Sequence, residues 1–243
     1  MIVKKIVLKF LLVIFALLLA AGVFLFALGR LRADEVISQK PITVAVEEYT
    51  GTEKYVTYEE IDPDFVNAVI AVEDKRFFTR RGLDWIALAR AVIENIQAGA
   101  LVEGGSTISQ QIAKNLYFGF QRTGIKDKVA EIFVMADLEE KYSKEELFAL
   151  YASMNYYGDQ YYGLSEAAKG YYGTTASDLT LAQAAMLAGL PNAPSVYQLS
   201  SGFDLAKKRQ EKVLQCMYSN DFIDEEEFKK ALQEDVSPVP SGQ

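Results

Sequence analysis

With 243 residues, half of them hydrophobic, the chain can bury a sizeable core in one or two lobes and is not a disordered polymer. A formal net charge of -8 argues against a nucleic-acid partner, because phosphate backbones are normally met by a basic face. There is no histidine and a single cysteine, Cys216, which excludes Ser-His and Cys-His nucleophiles, His-ligated zinc, internal disulfides and thiolate cages.

The first predicted element is Ile6 to Leu28, a nearly continuous apolar run interrupted only by Lys9 and about long enough to cross a bilayer as a helix. Lys4, Lys5 and Lys9 lie at its N-terminal side, so the expectation is an uncleaved single-pass anchor with the short tail (1–5) cytoplasmic and everything after it outside. Arg30 and Arg32 weaken that asymmetry, and the "LLLAAG" stretch keeps a cleaved signal peptide as the competing reading. Residues 29–60 read as a stalk or linker, polar and β-branched from Ala33 on, consistent with a stalk or a short strand pair.

From Asp62 helical periodicity dominates. Pro63 suits a first turn, and helices are expected over Asp64–Phe78, Asp84–Ala98, Thr107–Leu116, Lys126–Lys141, Lys144–Met154, Leu164–Tyr171, Leu179–Leu190 and Asp204–Ser219. A short helix follows Asp224, and a Pro/Ser-rich tail (236–243) closes the chain. The domain boundary is therefore placed at 61–235, and the fold class is mostly α. Cys216 is most simply a small core residue on a late helix.

Two acids stand on apolar stripes. In the first predicted helix Val66, Val69, Ile70, Glu73 and Phe77 share one face, so desolvation should raise the proton affinity of Glu73. Asp74, one position round, is expected to point away and pair with Lys75 or Arg76. From this stretch alone a structural glutamate, satisfied by backbone or by a neighbouring arginine, is the preferred reading of Glu73. The second acid, Glu131, shares a stripe with Val134, Met135 and Leu138 on a helix that is apolar nearly all round. Arg122, Lys126 and Lys128 precede it by about a turn or two.

Between them "EGGSTISQQIAKNLYF" joins a Gly-Gly turn to a helix start, where Thr107 can cap and Gln110 can reach back. That is a good capping box and nothing more, or else Gln110, Gln111 and Lys114 meet phosphate or sugar oxygens at the free amides. Two buried acids, a cationic group and many tyrosines suit the handling of a sugar. If the sugar leaves as a diphosphate, cations can neutralise the departing charge and one carboxylate remains to deprotonate an attacking hydroxyl.

The clusters "VEDKRFFTRRG", "EGGSTISQQIAKN", "KVAEIF" with "KYSKEEL", "YYGDQYYGLSEAAKGYYG" and "LTLAQAAMLAGLPNAPSVY" resemble, in order, the five motifs of the family 51 peptidoglycan glycosyltransferases, from about Asp62 to Tyr197. The resemblance implies a lysozyme-like helical domain with a smaller membrane-proximal lobe, preceded by one transmembrane helix. It implies polymerisation of lipid II into β-1,4-linked glycan with inversion and release of undecaprenyl diphosphate. By position it makes Glu73 the general base and Glu131 the second essential acid. Asp74, Phe77, Gly105, Ser106, Thr107, Gln110, Gln111, Lys114, Arg122, Lys126 and Lys128 become substrate-binding positions.

The partners implied are lipid II, the growing glycan, membrane lipid and cell-wall synthesis proteins, with no nucleic acid. No cofactor is required by the residues; the family's activity often benefits from a divalent cation such as Mg or Mn, but no dedicated cage is visible. The chain departs from the family at Arg80 (usually His), Asp127 (usually Arg), Ser153 (usually Asn) and Gln183 (usually Glu). Lys126 is the nearby replacement for the charge missing at Asp127.

Those departures motivate an inactive relative that binds lipid II or a cell-wall partner as the alternative. A glycan-cleaving enzyme on the same scaffold is a second alternative, and the cationic cluster argues against it. No Ser-x-x-Lys with Ser-x-Asn and Lys-Thr-Gly is present, so a monofunctional enzyme without a penicillin-binding transpeptidase is expected. Finally, the aromatic segment "NLYFGFQ", with Tyr117, Phe118 and Phe120, is expected to dip into the outer leaflet, against the plainer reading that these rings are core.

Overall fold

A computed structural model describes residues 2–80, 82, 106–119 and 124–239. The predicted helix 84–98 and residues Gly105, Phe120 and Arg122 lie outside the described residues. Among those described the chain is mostly helical and forms no strand, only an isolated bridge between Tyr156 and Tyr162.

The first helix, α1 (Ile2–Gln39), is long and apolar enough to cross a membrane, and its most apolar 18-residue window has a mean hydropathy of 3.0. It runs without a break past Leu28 to Gln39. Where a stalk or strand pair is expected, α2 (Ile42–Thr50) follows at once. The correction has a physical cause: Ile42, Ala45 and Val46 fall at i, i+3, i+4 and are buried, and tertiary burial overrides the β-preference of their branched side chains.

Next comes α3 (Pro63–Val72), with Pro63 in its first turn and the Asp62 carboxylate accepting from the Asp64 amide at 2.8 Å. It stops six residues short of the expected end. Then follow α4 (Ile108–Tyr117), α5 (Ile125–Lys141), α6 (Lys144–Met154), α7 (Leu164–Tyr172), α8 (Leu181–Gly189), the single turn α9 (Pro194–Tyr197), α10 (Phe203–Tyr218) and α11 (Glu225–Gln233). Capping boxes open α4, α6, α8 and α11, which is why their starts are readable from sequence.

Helices α3, α8 and α10 pack on one another, while α4 packs on α5 and α6. The outer face of α5 is covered by α1. The core runs continuously through both groups, with Phe65, Phe77, Phe148, Tyr151 and Tyr157 fully buried. Cys216 is half-buried on α10 against this core.

Candidate active site

Glu73 is the residue after α3, its C-cap, with φ -105° and ψ -49°. The helix ends there, yet Glu73 keeps near-helical angles, so it stays on the stripe that buries Val66, Val69 and Ile70. Its carboxylate is gripped from two other helices. Gln111 Nε2, on α4, donates to Oε2 at 2.9 Å, and Arg209 Nη2, on α10, lies 3.3 Å from Oε1. Only 18 % of the Glu73 side chain is exposed, and 10 % of Arg209.

Burial pushes the Glu73 carboxyl up from the ordinary glutamate value; the Gln111 hydrogen bond and the Arg209 charge oppose it, and Asp74 reinforces it. The net direction is upward, so desolvation wins over the arginine. The phenol of Tyr151, fully buried on α6, is likewise pushed up, first by burial and then by the charge of Glu73.

Asp74 does not point away. It is buried and pairs with Arg80 Nη2 at 2.8 Å, and it accepts from the Ile108 amide at the start of α4 at 3.4 Å. Asp74 lies two residues past the last helical residue of α3, where the Arg80 and Ile108 contacts hold its side chain. Arg80 reaches on to Glu139 of α5 at 2.9 Å, and Glu139 is also held by Lys144 at 2.7 Å and by the Ser109 hydroxyl.

This cluster of two acids and two cations has side chains 3–18 % exposed and ties the loop after Glu73 to α4, α5 and α6. Burial raises the proton affinity of Glu139, but Lys144, Ser109 and Arg80 outweigh it and hold the carboxyl below its ordinary value. Phe77 is the floor of the cluster, fully buried beneath Lys144 at 4.7 Å and Arg80 at 5.9 Å. Its ring is enclosed by the core in the described residues.

On the other flank of α4, Glu131 is fully enclosed, and Lys128 one turn earlier bridges Glu131 Oε2 at 2.6 Å to the Ser106 hydroxyl at 3.2 Å. Thr107 caps α4 by accepting from the Gln110 amide at 3.3 Å, while Gln110 Oε1 accepts from the Thr107 amide at 2.9 Å. The side-chain oxygen of Gln110 is thus committed to the cap. Lys114 is half-buried along α4, and Lys126 is exposed in the first turn of α5; neither pairs with a carboxylate among the described residues. No three Asp, Glu or Cys side chains among the described residues converge as a group that could hold a metal ion.

Each departure from the family pattern has a local partner. Gln183 completes the capping box of α8 with Thr180, a position that takes Glu or Gln alike. The Ser153 hydroxyl accepts from the Val56 amide at 3.1 Å and pins the segment before α3. Arg80 joins the buried cluster, and Asp127 bonds Arg32 Nε of α1 at 3.1 Å. Tyr117 donates to the Lys40 carbonyl at 2.9 Å, and Phe118 is half-buried on the core.

Sequence reasoning missed Arg209, Glu139, Lys144 and Ser109. The signal for Arg209 is faint: it sits three residues after Ala206 and four before Val213, both buried, inside a run of charges. Its stem also needs Gly189, where an added Cβ would lie 2.9 Å from Arg209 Cγ.

Among the described residues the helical domain thus holds a desolvated carboxylate, Glu73, and a second buried acid, Glu131, that Lys128 bridges to Ser106. A family model described as Transglycosylase matches residues 39–218. Penicillin-binding protein 1A/1B of Bacillus subtilis (strain 168) is 40 % identical over 185 residues, covering 74 % of this chain and 20 % of that protein. Penicillin-binding protein 1A of Neisseria flavescens is 42 % identical over 170 residues, covering 70 % and 21 %. The crystal structure of penicillin-binding protein 1A from Haemophilus influenzae is 25 % identical with a TM-score of 0.37, covering 56 % of this chain and 17 % of that one. The chain belongs to the transglycosylase family. It spans about a fifth of the length of these curated relatives.

Proposed function

We propose that this chain is a peptidoglycan glycosyltransferase that polymerises lipid II into β-1,4-linked glycan. The observation that carries the reading is Glu73: nearly dry, raised in proton affinity, and aimed by Gln111 and Arg209 from two separate helices. Family membership supports the same reaction class.

Glu73 takes the proton from the 4-hydroxyl of the acceptor lipid II as that oxygen attacks the anomeric carbon of the growing chain. The bond from that carbon to the diphosphate oxygen breaks on the opposite face, so the configuration inverts, and undecaprenyl diphosphate departs with the electron pair. Its charge is met by Lys126 and Lys128, with Arg122 as a third cation and Ser106 as a hydroxyl donor. Glu131 holds Lys128 in place from a site of zero exposure. Lys114 and Gln111 extend the polar rim along α4. The anchor α1 crosses the membrane with its N-terminus inside, which sets the domain on the side where lipid-linked precursors are polymerised.

The test is to incubate the purified chain with fluorescent lipid II and resolve products on a gel. Long glycan supports the reading. Binding without polymer, or cleavage of preformed glycan, would overturn it in favour of a lipid II-binding relative or a lytic enzyme.

A further inference from the structure

The end of α1 is built into the domain rather than hung from it. Gly29, Ala33 and Val36 are buried at i, i+4, i+7 on the face that meets α5. Gly29 is where the two helices come closest: a Cβ added there would lie 2.3 Å from Val129 Cγ1, 2.7 Å from Val129 Cβ and 3.2 Å from its carbonyl carbon. Neither of the last two atoms can swing away, so any larger residue must push the helices apart.

Polar and aromatic contacts flank that point. The Phe26 ring meets Phe133 edge-on at 4.7 Å, and the Arg30 guanidinium lies over the same Phe133 ring at 5.5 Å and 3.5 Å from Asp137. At the first turn of α5, Asp127 accepts from Arg32 Nε at 3.1 Å, and Arg32 is itself steadied by Glu35 at 2.9 Å.

The other face of the same stretch of α5 carries the cationic arm. Lys128 follows Asp127 directly, and Glu131 lies one turn on, fully buried toward α4. A 17-residue helix is a stiff body, so a shift or tilt at Asp127 and Val129 moves Lys128 and Glu131 with it. We infer that residues 29–36 of α1, held by the Gly29 approach and the Arg32–Asp127 pair, are a positioning element for the Lys128–Glu131–Ser106 arm of the active site. This rests on the proposed glycosyltransfer. On this view the anchor does more than tether: it sets the geometry of the diphosphate-facing cations. Asp127 serves the anchor instead of the substrate.

The experiment is a charge-reversal cycle in the full-length chain in detergent micelles, where membrane delivery no longer limits the rate. Arg32→Glu and Asp127→Arg should each lower kcat for lipid II polymerisation by roughly threefold or more with a smaller change in KM. The double variant should recover to within about twofold of the unaltered chain, since the pair is restored in reverse. Gly29→Leu, which keeps the segment apolar, should fall further and should not be rescued by the swap. Equal rates for all variants, a higher rate for Asp127→Arg alone, or a double variant no better than the singles would overturn the positioning role. If a single variant melts below the assay temperature, the double variant decides by the presence or absence of recovery. No polymer from the unaltered chain would instead overturn the glycosyltransferase reading.

Discussion

Glu73 holds its proton more tightly than an ordinary glutamate because burial outweighs one long arginine contact and one amide hydrogen bond. Two measurable consequences follow from that sign. A base must be ionised, so the rate should rise with pH through a value above the ordinary glutamate range, and the acidic limb of the pH–rate profile locates it. A glutamate range limb would place the base elsewhere.

For stability the folded state binds more protons than the unfolded one from the ordinary value near 4.5 up to the raised folded value. The contribution of neutral Glu73 is therefore present at low pH and is lost as pH rises through that window. Glu73→Gln keeps the shape and one acceptor oxygen, for Arg209, with the Gln111 amide turned over to accept from the new NH2, but it cannot take a proton. It should cost about a hundredfold to ten-thousandfold in polymerisation, while the melting temperature above the window stays equal or rises slightly. A marked fall in melting temperature with near-normal polymer would make Glu73 a structural partner of Arg209.

At the scale of elements, the joint between α3 and α4 is made by charge rather than by apolar packing alone. Arg80 sits between Asp74 and Glu139, and removing it would leave Asp74 buried without a cation and take one of two cations from Glu139, which keeps Lys144 and Ser109. Arg80→Met should cost about 3–5 kcal/mol by chemical denaturation. Arg80→Lys should recover only part of this, because a single ammonium cannot reproduce the fork. Glu139 sharpens the check: its lowered value contributes stability above the ordinary glutamate range that is lost as pH falls through the folded value. A variant that unfolds as the parent does, with the same acid sensitivity, would deny the cluster its role.

Little of this cluster is legible in the sequence. Arg80, Ser109, Glu139 and Lys144 are scattered over 65 positions, and only the packing of α4, α5 and α6 against the loop after Glu73 brings them to Asp74. The helix starts, by contrast, are legible, because a capping box is a contact between residues three apart.

For the molecule as a whole, the end of α1 is packed on the domain, with Arg30 and Arg32 engaged by Asp137 and Asp127. Two of the positive charges that weaken the topological asymmetry are thereby paired with the domain. Lys4, Lys5 and Lys9 lie near the other end of α1, and on the proposed topology they are the orienting charges. In right-side-out vesicles, protease added outside should degrade the region after Gln39 and leave an epitope fused before Met1 protected. Loss of the epitope with survival of the domain would invert the topology.

The sequence by itself determines the helical class, the apolar anchor, most helix starts and the two acids on buried stripes, since each depends on neighbours within about one or two turns. It also carries the resemblance that orders the motifs. Tertiary structure alone decided what those acids meet. Glu73 acquires Arg209 from 136 positions away, Asp74 turns inward, Phe77 becomes core, and Asp127 goes to the anchor helix. Periodicity assigns a side chain to a face, but only packed helices determine which charge lies opposite, and burial then sets how tightly each proton is held.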